Sequence, residues 1–575
     1  MSTITVTNTR DHGQGSLRAA ITTAKSGDTI RFNKALTNKT ITLTSGQITI
    51  DPGKKIIIDG ANAAGLTLSG NNKSRIFFVN SNQDFPANLI LKDLTLTKGF
   101  TDERGGAIHV THKGDLIIKN VDFEQNRADQ GGGAIYSAWE TNLSVTGSTF
   151  ERNQATAAND ERGAGAIAFT SPGKFIVKDS VFANNKGING GAINSLQGKL
   201  TIANSTFINN DTTAAVYDKG QPRPFLRGYG GAIYTDRASS ASDDTAGIIR
   251  ISNSIFEGNK GRGEGGAAYL YTGAQDKVLL EHSRFSNNQV LALPNRDNGG
   301  NGGAVVQLTH GLNRGLAIRN TSFSNNRADG QGGGLWMMGA PTQITNSTFS
   351  GNRTLGKSFS SGGGGITLYG PTDIDNTTFA NNRAGWVGGA ISANTKKYKV
   401  TVKDSIFYKN TAENGPNDWG IQQHTSSELQ DLGGNFQYPP KTTNNFNDYN
   451  ATAKVKTTIN PKLSPLQADG THIVGHPIVA KVGDQGNTKI RGLLSHKLSQ
   501  NGNGGNVPGS KVQPALTDTP IRPDLLLIKG TAQNDTLPDD NRSQTLRGFS
   551  GNDLVKAKGG KDLVYGGRGK DKLYG

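Results

Sequence analysis

Between Gly105 and Asn410 two short signatures alternate ten times, and no other feature constrains the fold so tightly. The first is Gly-Gly-small-apolar, written GGAI at Gly105, Gly132, Gly190, Gly230 and Gly388, with variants at Ala164, Gly265, Gly302, Gly332 and Gly363. The second is F-x-x-N, starting at Phe123, Phe150, Phe182, Phe207, Phe256, Phe285, Phe323, Phe349, Phe379 and Phe407. The mean period of about 32 residues lies in the range of stacked repeat architectures. Each F-x-x-N follows a run of alternating polarity such as Leu200 to Phe207, which reads as a strand. Short strands, no helical period and Gly or Asn at the corners predict one rung of an all-β parallel β-helix, in which equivalent side chains form columns. Phe then stacks inward, and Asn three residues later occupies a turn, bonding backbone or entering the left-handed region. The Gly pairs let the chain bend where a Cβ would meet the rung above.

These paired signatures resemble the polymorphic outer-membrane protein repeat of bacterial β-helix surface proteins. The opening of the chain is likewise similar to that of secreted bacterial right-handed β-helix proteins, so the resemblance implies a right-handed solenoid and leaves function open. There Gly15 to Ile21 reads as a capping helix, with Ser16 as N-cap and Leu17, Ala20 and Ile21 on one face. The expected organisation is a cap and first rungs over 1–104, the array over 105–410, a C-terminal cap over 411–484, a flexible linker over 485–529 and a further repeat segment over 530–575.

A hydrophobic content of 33% with 77 glycines excludes a conventional large core but suits the narrow interior of a solenoid. No run approaches the roughly 18 apolar residues of a membrane-spanning helix, so none is expected. The absence of cysteine removes disulfides, thiol nucleophiles and cysteine metal sites. Met1 is followed by Ile4 to Thr9 without a basic and then apolar leader, so export is expected either after removal of one or without one. A net charge of +16 predicts attraction to polyanions: acidic polysaccharide, lipopolysaccharide, an anionic cell surface or nucleic acid, for which no specific motif is present.

Two columns carry the candidate binding residues. The residue after each Gly-Gly-small-apolar signature should point outward, exposing His109, Tyr136, Tyr234, Tyr269 and Trp336, with Tyr271 and Tyr369 two places on, as faces for sugar rings or as a shield over the sheet. The residue after F-x-x-N gives Arg127, Lys186, Lys260, Arg327, Arg353 and Arg383, a cationic ladder facing either solvent or a polyanion's regular carboxylates or sulfates. Long loops follow the same corner on alternate rungs and would build one wall of a groove. No signature of a hydrolase, metalloprotease or nucleotide-binding enzyme is present. Two functions remain open: a secreted adhesin or matrix protein binding polyanions on its flank, and a lyase or epimerase on uronic-acid polymers. For the second, Tyr229, Arg227, Tyr234, Arg262 and Tyr269 are the catalytic candidates beside the longest loop.

The last segment holds five nine-residue units starting at Gly530, Asp539, Gly548, Ala557 and Gly566, in the frame G-G-x-G-x-D-x-U-x. It resembles the RTX (hemolysin-type) calcium-binding nonapeptide repeat of type I secreted toxins, proteases and epimerases. The resemblance implies Ca2+ held by backbone carbonyls and carboxylates in glycine-opened turns, within a short β-roll, with Asp535, Asp553, Asp562, Asp571, Gly551, Gly560 and Gly569 at the metal. Turns on one side recur every second unit, which pairs Asp535 with Asp553 and Asp553 with Asp571. It also implies an extracellular protein exported by a type I-like route.

Overall fold

The computed structural model describes residues 2–468 apart from 158–161, 215–216, 219–220, 223–227, 240–245, 294–298, 310–313, 357–360, 415–422, 446–447 and 459. Beyond 468 it describes the strands Val474–Gly475, Leu527–Lys529, Thr536–Leu537, Thr545–Arg547, Leu554–Lys556, Leu563–Tyr565 and Lys572–Tyr574. The chain winds into a parallel β-solenoid. Each rung places one strand in a 12-stranded wall, up to two in a 27-stranded wall and, over part of the length, a short strand in a 6-stranded wall. One rung shows the plan: Ile135–Ser137 in the first wall, then Asn142–Thr146 and Thr149–Glu151 in the second, each pairing in parallel with the equivalent strand of the next rung.

The alternating pattern explains the burial. Leu143, Val145 and Phe150 point inward and are at most 1% exposed, within one apolar column that runs from Val6 to Ala451. The ten Phe residues of the F-x-x-N signature are fully buried and stack ring on ring, with neighbouring centroids 4.6 to 5.3 Å apart and planes within 10°. The two glycines of each pair have different reasons to be there. Gly132 has φ +61, and a Cβ on it would lie 2.2 Å from Ile135 O of its own rung; a Cβ on Gly133 would lie 2.1 Å from Gly165 O of the next rung.

The Asn of F-x-x-N departs from its expected turn role. Asn126, Asn153, Asn185, Asn210, Asn259, Asn288, Asn326, Asn352, Asn382 and Asn410 are fully buried and form an amide ladder inside the solenoid. The Nδ2 of Asn288, for example, donates to Asn326 Oδ1 and Phe256 O, both at 3.0 Å, while its Oδ1 accepts from Asn259 N and Nδ2 at 3.0 and 2.9 Å. The left-handed conformation falls to the residue before it, as in Asn184, Asn209, Asn287, Asn325 and Asn381. A polar group inside an apolar column is tolerable because every rung supplies the partners its neighbour needs.

A helix closes the N-terminal end of the column. Ser16 caps the helix Leu17–Thr23, accepting from Ala19 N, and Leu17, Ala20 and Ile21 pack on the first rungs as expected. Strand pairing continues past Asn410, through Gln430–Asp431 and Phe436–Tyr438 to Lys456. There Gln437 replaces Phe in the stack and His424 ends the amide ladder, its Nδ1 3.3 Å from Asn410 Nδ2 and its Nε2 3.1 Å from Pro439 O. Burial pushes the His424 imidazole down to about 4, so it is neutral near pH 7.

In the C-terminal segment, strands pair in parallel two units apart: Leu527 with Thr545 and Thr545 with Leu563 in one sheet, Thr536 with Leu554 and Leu554 with Lys572 in the other. That is the pairing of a β-roll, whose turns on one side recur every second unit. The expected linker over 485–529 lies outside the described residues up to Leu527.

Candidate functional site

The cationic ladder is one register column, and strand pairing gives its order: Arg127, Gln154, Lys186, Asp211, Lys260, Gln289, Arg327, Arg353, Arg383 and Thr411. Gln154, Asp211 and Gln289 interrupt it, so only Arg327, Arg353 and Arg383 are consecutive cations. Arg127 is paired with Asp129 at 2.9 Å and lies over the Phe100 ring, and Arg383 is paired with Glu413. Among the described residues no carboxylate stands within ion-pair distance of Arg327 or Arg353. Burial first, and then Arg327 and Arg383 on either side, hold the Arg353 guanidinium below its ordinary range. Like charges recurring every 4.8 Å or so repel one another unless an anion lies between them.

The aromatic column lies on the outer side of the 12-stranded wall, away from the apolar column, in the register His109, Tyr136, Ala168, Asn194, Tyr234, Tyr269, Val306, Trp336, Thr367. It does not present open faces: Tyr136, Tyr234, Tyr269 and Trp336 are 5 to 9% exposed, and His109, Tyr271 and Tyr369 are half-buried. The rings cover one another, with Tyr234 and Tyr269 stacked at 5.3 Å and Tyr229 tilted on Tyr269 at 4.7 Å. His109 sits edge-on between Phe78 and Tyr136; burial, then Arg75 and Arg104, push it down to about 3, so it is a neutral ring.

Of the catalytic candidates, Tyr229, Tyr234 and Tyr269 are thus in contact. Arg262 donates its backbone N–H to Gly228 O next to Tyr229, while Arg227 lies outside the described residues. A neighbouring column was missed by the sequence reading: the residue just before each Gly pair. Here Tyr229, Glu264, Asn301 and Gln331 follow one another along the solenoid, joined by backbone bonds from each following glycine. Glu264 Oε1 accepts from Asn301 Nδ2 at 3.0 Å, whereas its Oε2 is buried and has no hydrogen-bond partner among the described residues. Burial pushes this carboxyl up to about 8. Gln331 Oε1 accepts from Trp336 Nε1 at 3.1 Å and Tyr369 Oη at 2.8 Å, which ties the two columns together. Aligning the repeats on their glycine pairs would have exposed this position.

The predicted calcium ligands Asp535, Asp553, Asp562, Asp571, Gly551, Gly560 and Gly569 lie outside the described residues, as does part of each long corner loop. Among the described residues no cluster of three His, Asp or Glu side chains offers a further metal site, and no helix is long and apolar enough to cross a membrane.

A parallel β-solenoid with internal Phe and Asn columns, followed by β-roll strands, defines a class of repeat protein that sequence comparison specifies further. The RTX calcium-binding nonapeptide repeat matches residues 547–575, and the Chlamydia polymorphic membrane protein repeat matches 120–138, 320–337 and 376–394. The chain therefore carries both repeat types, and calcium is the ion that the RTX repeats bind. A probable autotransporter, YfaL of Escherichia coli strain K12, is 28% identical over 159 residues, which is 27% of this chain and only 12% of that protein. Among solved structures, tailspike protein 3 of bacteriophage CBA120 aligns over 80% of this chain and 64% of its own, with a TM-score of 0.36 and 12% identity. An alginate lyase, AlyF-OU02, aligns over 68% and 82% respectively, with a TM-score of 0.34 and 13% identity.

Proposed function

We propose that this is an extracellular, calcium-dependent β-helix protein that binds acidic polysaccharide, or the anionic surface of a cell, along its basic flank. The observation that carries this reading is the arginine triplet. Arg327, Arg353 and Arg383 stand on adjacent rungs, two of them without a carboxylate partner among the described residues and the central one held below its ordinary range first by burial and then by the flanking cations. An extended polymer whose carboxylates or sulfates recur at the rung spacing would relieve that repulsion through charge-assisted bonds to successive guanidinium groups. Lys260, Lys186 and Arg127 would extend the track at wider intervals. The β-roll adds a route outward: in low calcium it stays unfolded and can thread an exporter of the type I kind, and in millimolar calcium outside the cell it folds.

The test is affinity for alginate-like and sulfated polymers over a salt series. Arg327→Glu combined with Arg383→Glu should weaken binding about tenfold or more and flatten the salt dependence. Unchanged affinity in the double variant, or no binding by the native protein, would remove the reading. Glu264 favours a second one. A protonated carboxyl on the rung beside Tyr229, and five residues before Tyr269, is the kind of group that moves protons at a carbon next to a uronate carboxylate, as a lyase or epimerase must. Unsaturated or epimerised product from uronic-acid polymers would establish it, and loss of product in Glu264→Gln would assign the residue.

A further inference from the structure

Near the start of the array, the outer side of the 12-stranded wall holds a pocket of about 320 Å³ that neither column explains. Arg104, Tyr136, Trp139, Arg162, Gln197 and Asp236 line it. They come from five successive rungs, so the pocket is a slot running roughly 19 Å along the solenoid axis.

Its parts are chemically distinct. Trp139 is 43% exposed, a large apolar ring offered to solvent on an otherwise polar surface. The Arg104 guanidinium lies 5.2 Å from the centre of the Tyr136 ring, and the Tyr136 hydroxyl is fixed by a 3.1 Å bond from Thr170 Oγ1, so this side of the slot is pre-shaped. Gln197 sits at φ +66 with its side-chain Oε1 fully buried and without a hydrogen-bond partner among the described residues. A buried acceptor in that condition costs stability, and a ligand hydroxyl would satisfy it once the Gln197 side chain turns its Oε1 into the slot. Arg104 and Arg162, each already engaged by a partner within the protein, bring two cations to the rim. Asp236 brings one carboxylate, itself 3.3 Å from Arg237 Nε.

A purely apolar ligand would leave Gln197 unsatisfied, and a densely charged phosphate chain would meet Asp236. The combination fits a molecule with an apolar ring face, several hydroxyls and one carboxylate per ring. We infer that the slot is a specificity subsite for a short uronic-acid oligosaccharide, with a carboxylate toward Arg104 and Arg162, a ring face against Trp139 and a hydroxyl on Gln197 Oε1. The inference takes its ligand class from the acidic-polysaccharide reading, but it concerns a different surface from the arginine triplet.

The experiment measures binding of a purified uronic-acid trisaccharide and its neutral counterpart to the full chain, by calorimetry and saturation-transfer NMR. The acidic trisaccharide should bind and the neutral one should bind about tenfold more weakly. Trp139→Ala removes an exposed side chain that the fold does not need, and it should lower trisaccharide affinity about tenfold, as should Arg162→Gln. Both variants should change affinity for long polymers on the triplet by less than about twofold. Equal binding of acidic and neutral sugars, no trisaccharide binding, or full affinity in Trp139→Ala would overturn the slot even if the polymer still binds. Trisaccharide binding by a chain with no polymer affinity would instead refute the flank and leave the slot standing.

Discussion

Replacing Asn288 by Ala tests whether the amide ladder holds the solenoid together. The substitution removes four hydrogen bonds: Nδ2 to Asn326 Oδ1, Nδ2 to Phe256 O, and the two that Oδ1 accepts from Asn259 N and Nδ2. The Asn259 amide N–H is then buried without an acceptor, which costs about 1–3 kcal/mol, and each of the other three bonds is worth about 0.5–1.5 kcal/mol net. The expected loss is about 4 kcal/mol. Asn287 next to it is an internal control, because it is exposed and at φ 56, a conformation that glycine adopts freely. Asn287→Gly should therefore change stability by no more than about 0.5 kcal/mol. Urea unfolding followed by far-ultraviolet circular dichroism, with limited proteolysis to detect opening between adjacent rungs, reads both variants. Coincident unfolding midpoints for Asn288→Ala and Asn287→Gly would refute the claim that the ladder is stabilising.

Other outcomes follow from the same physics. The Glu264 carboxyl titrates near 8 when folded against about 4.5 when unfolded, so it costs stability progressively as pH rises through that window. Glu264→Gln should stabilise the protein by about 3 kcal/mol at pH 7 and by almost nothing at pH 4; a pH-independent difference would contradict the assignment. His424 titrates near 4 when folded against about 6.5 when unfolded, so stability falls as pH drops from 6.5 to 4, by about 2 kcal/mol at pH 5. Amide exchange should then quicken first around Asn410, and unchanged protection there would tell against the cap. In the RTX segment the proposed ligand Asp553 is shared by both carboxylate pairs, so Asp553→Ala should abolish most of the calcium-induced circular dichroism of residues 524–575, whereas Gln544→Ala should not.

Much of the architecture is legible in the chain because a solenoid is nearly one-dimensional. A residue that recurs once per rung must form a column, so the period alone placed the ten Phe residues inside and the cations along one edge, without knowledge of any distant contact. The nonapeptide frame likewise predicted pairing two units apart, which the strand register repeats. What the chain could not disclose depends on contacts between rungs and on what lies over the walls. Asn in F-x-x-N reads as a turn residue by local preference, and only stacking supplies the neighbouring amides that let it face inward. The outward aromatics alternate as a strand requires, but their exposure depends on neighbouring rungs, and Tyr229 joins them from the far end of a long loop. Interruption of the basic ladder by Gln154, Asp211 and Gln289, the isolation of Glu264 Oε2 and the slot beside Trp139 are likewise facts of tertiary structure. Each arises where side chains from separate rungs, dozens of residues apart in sequence, meet on one face.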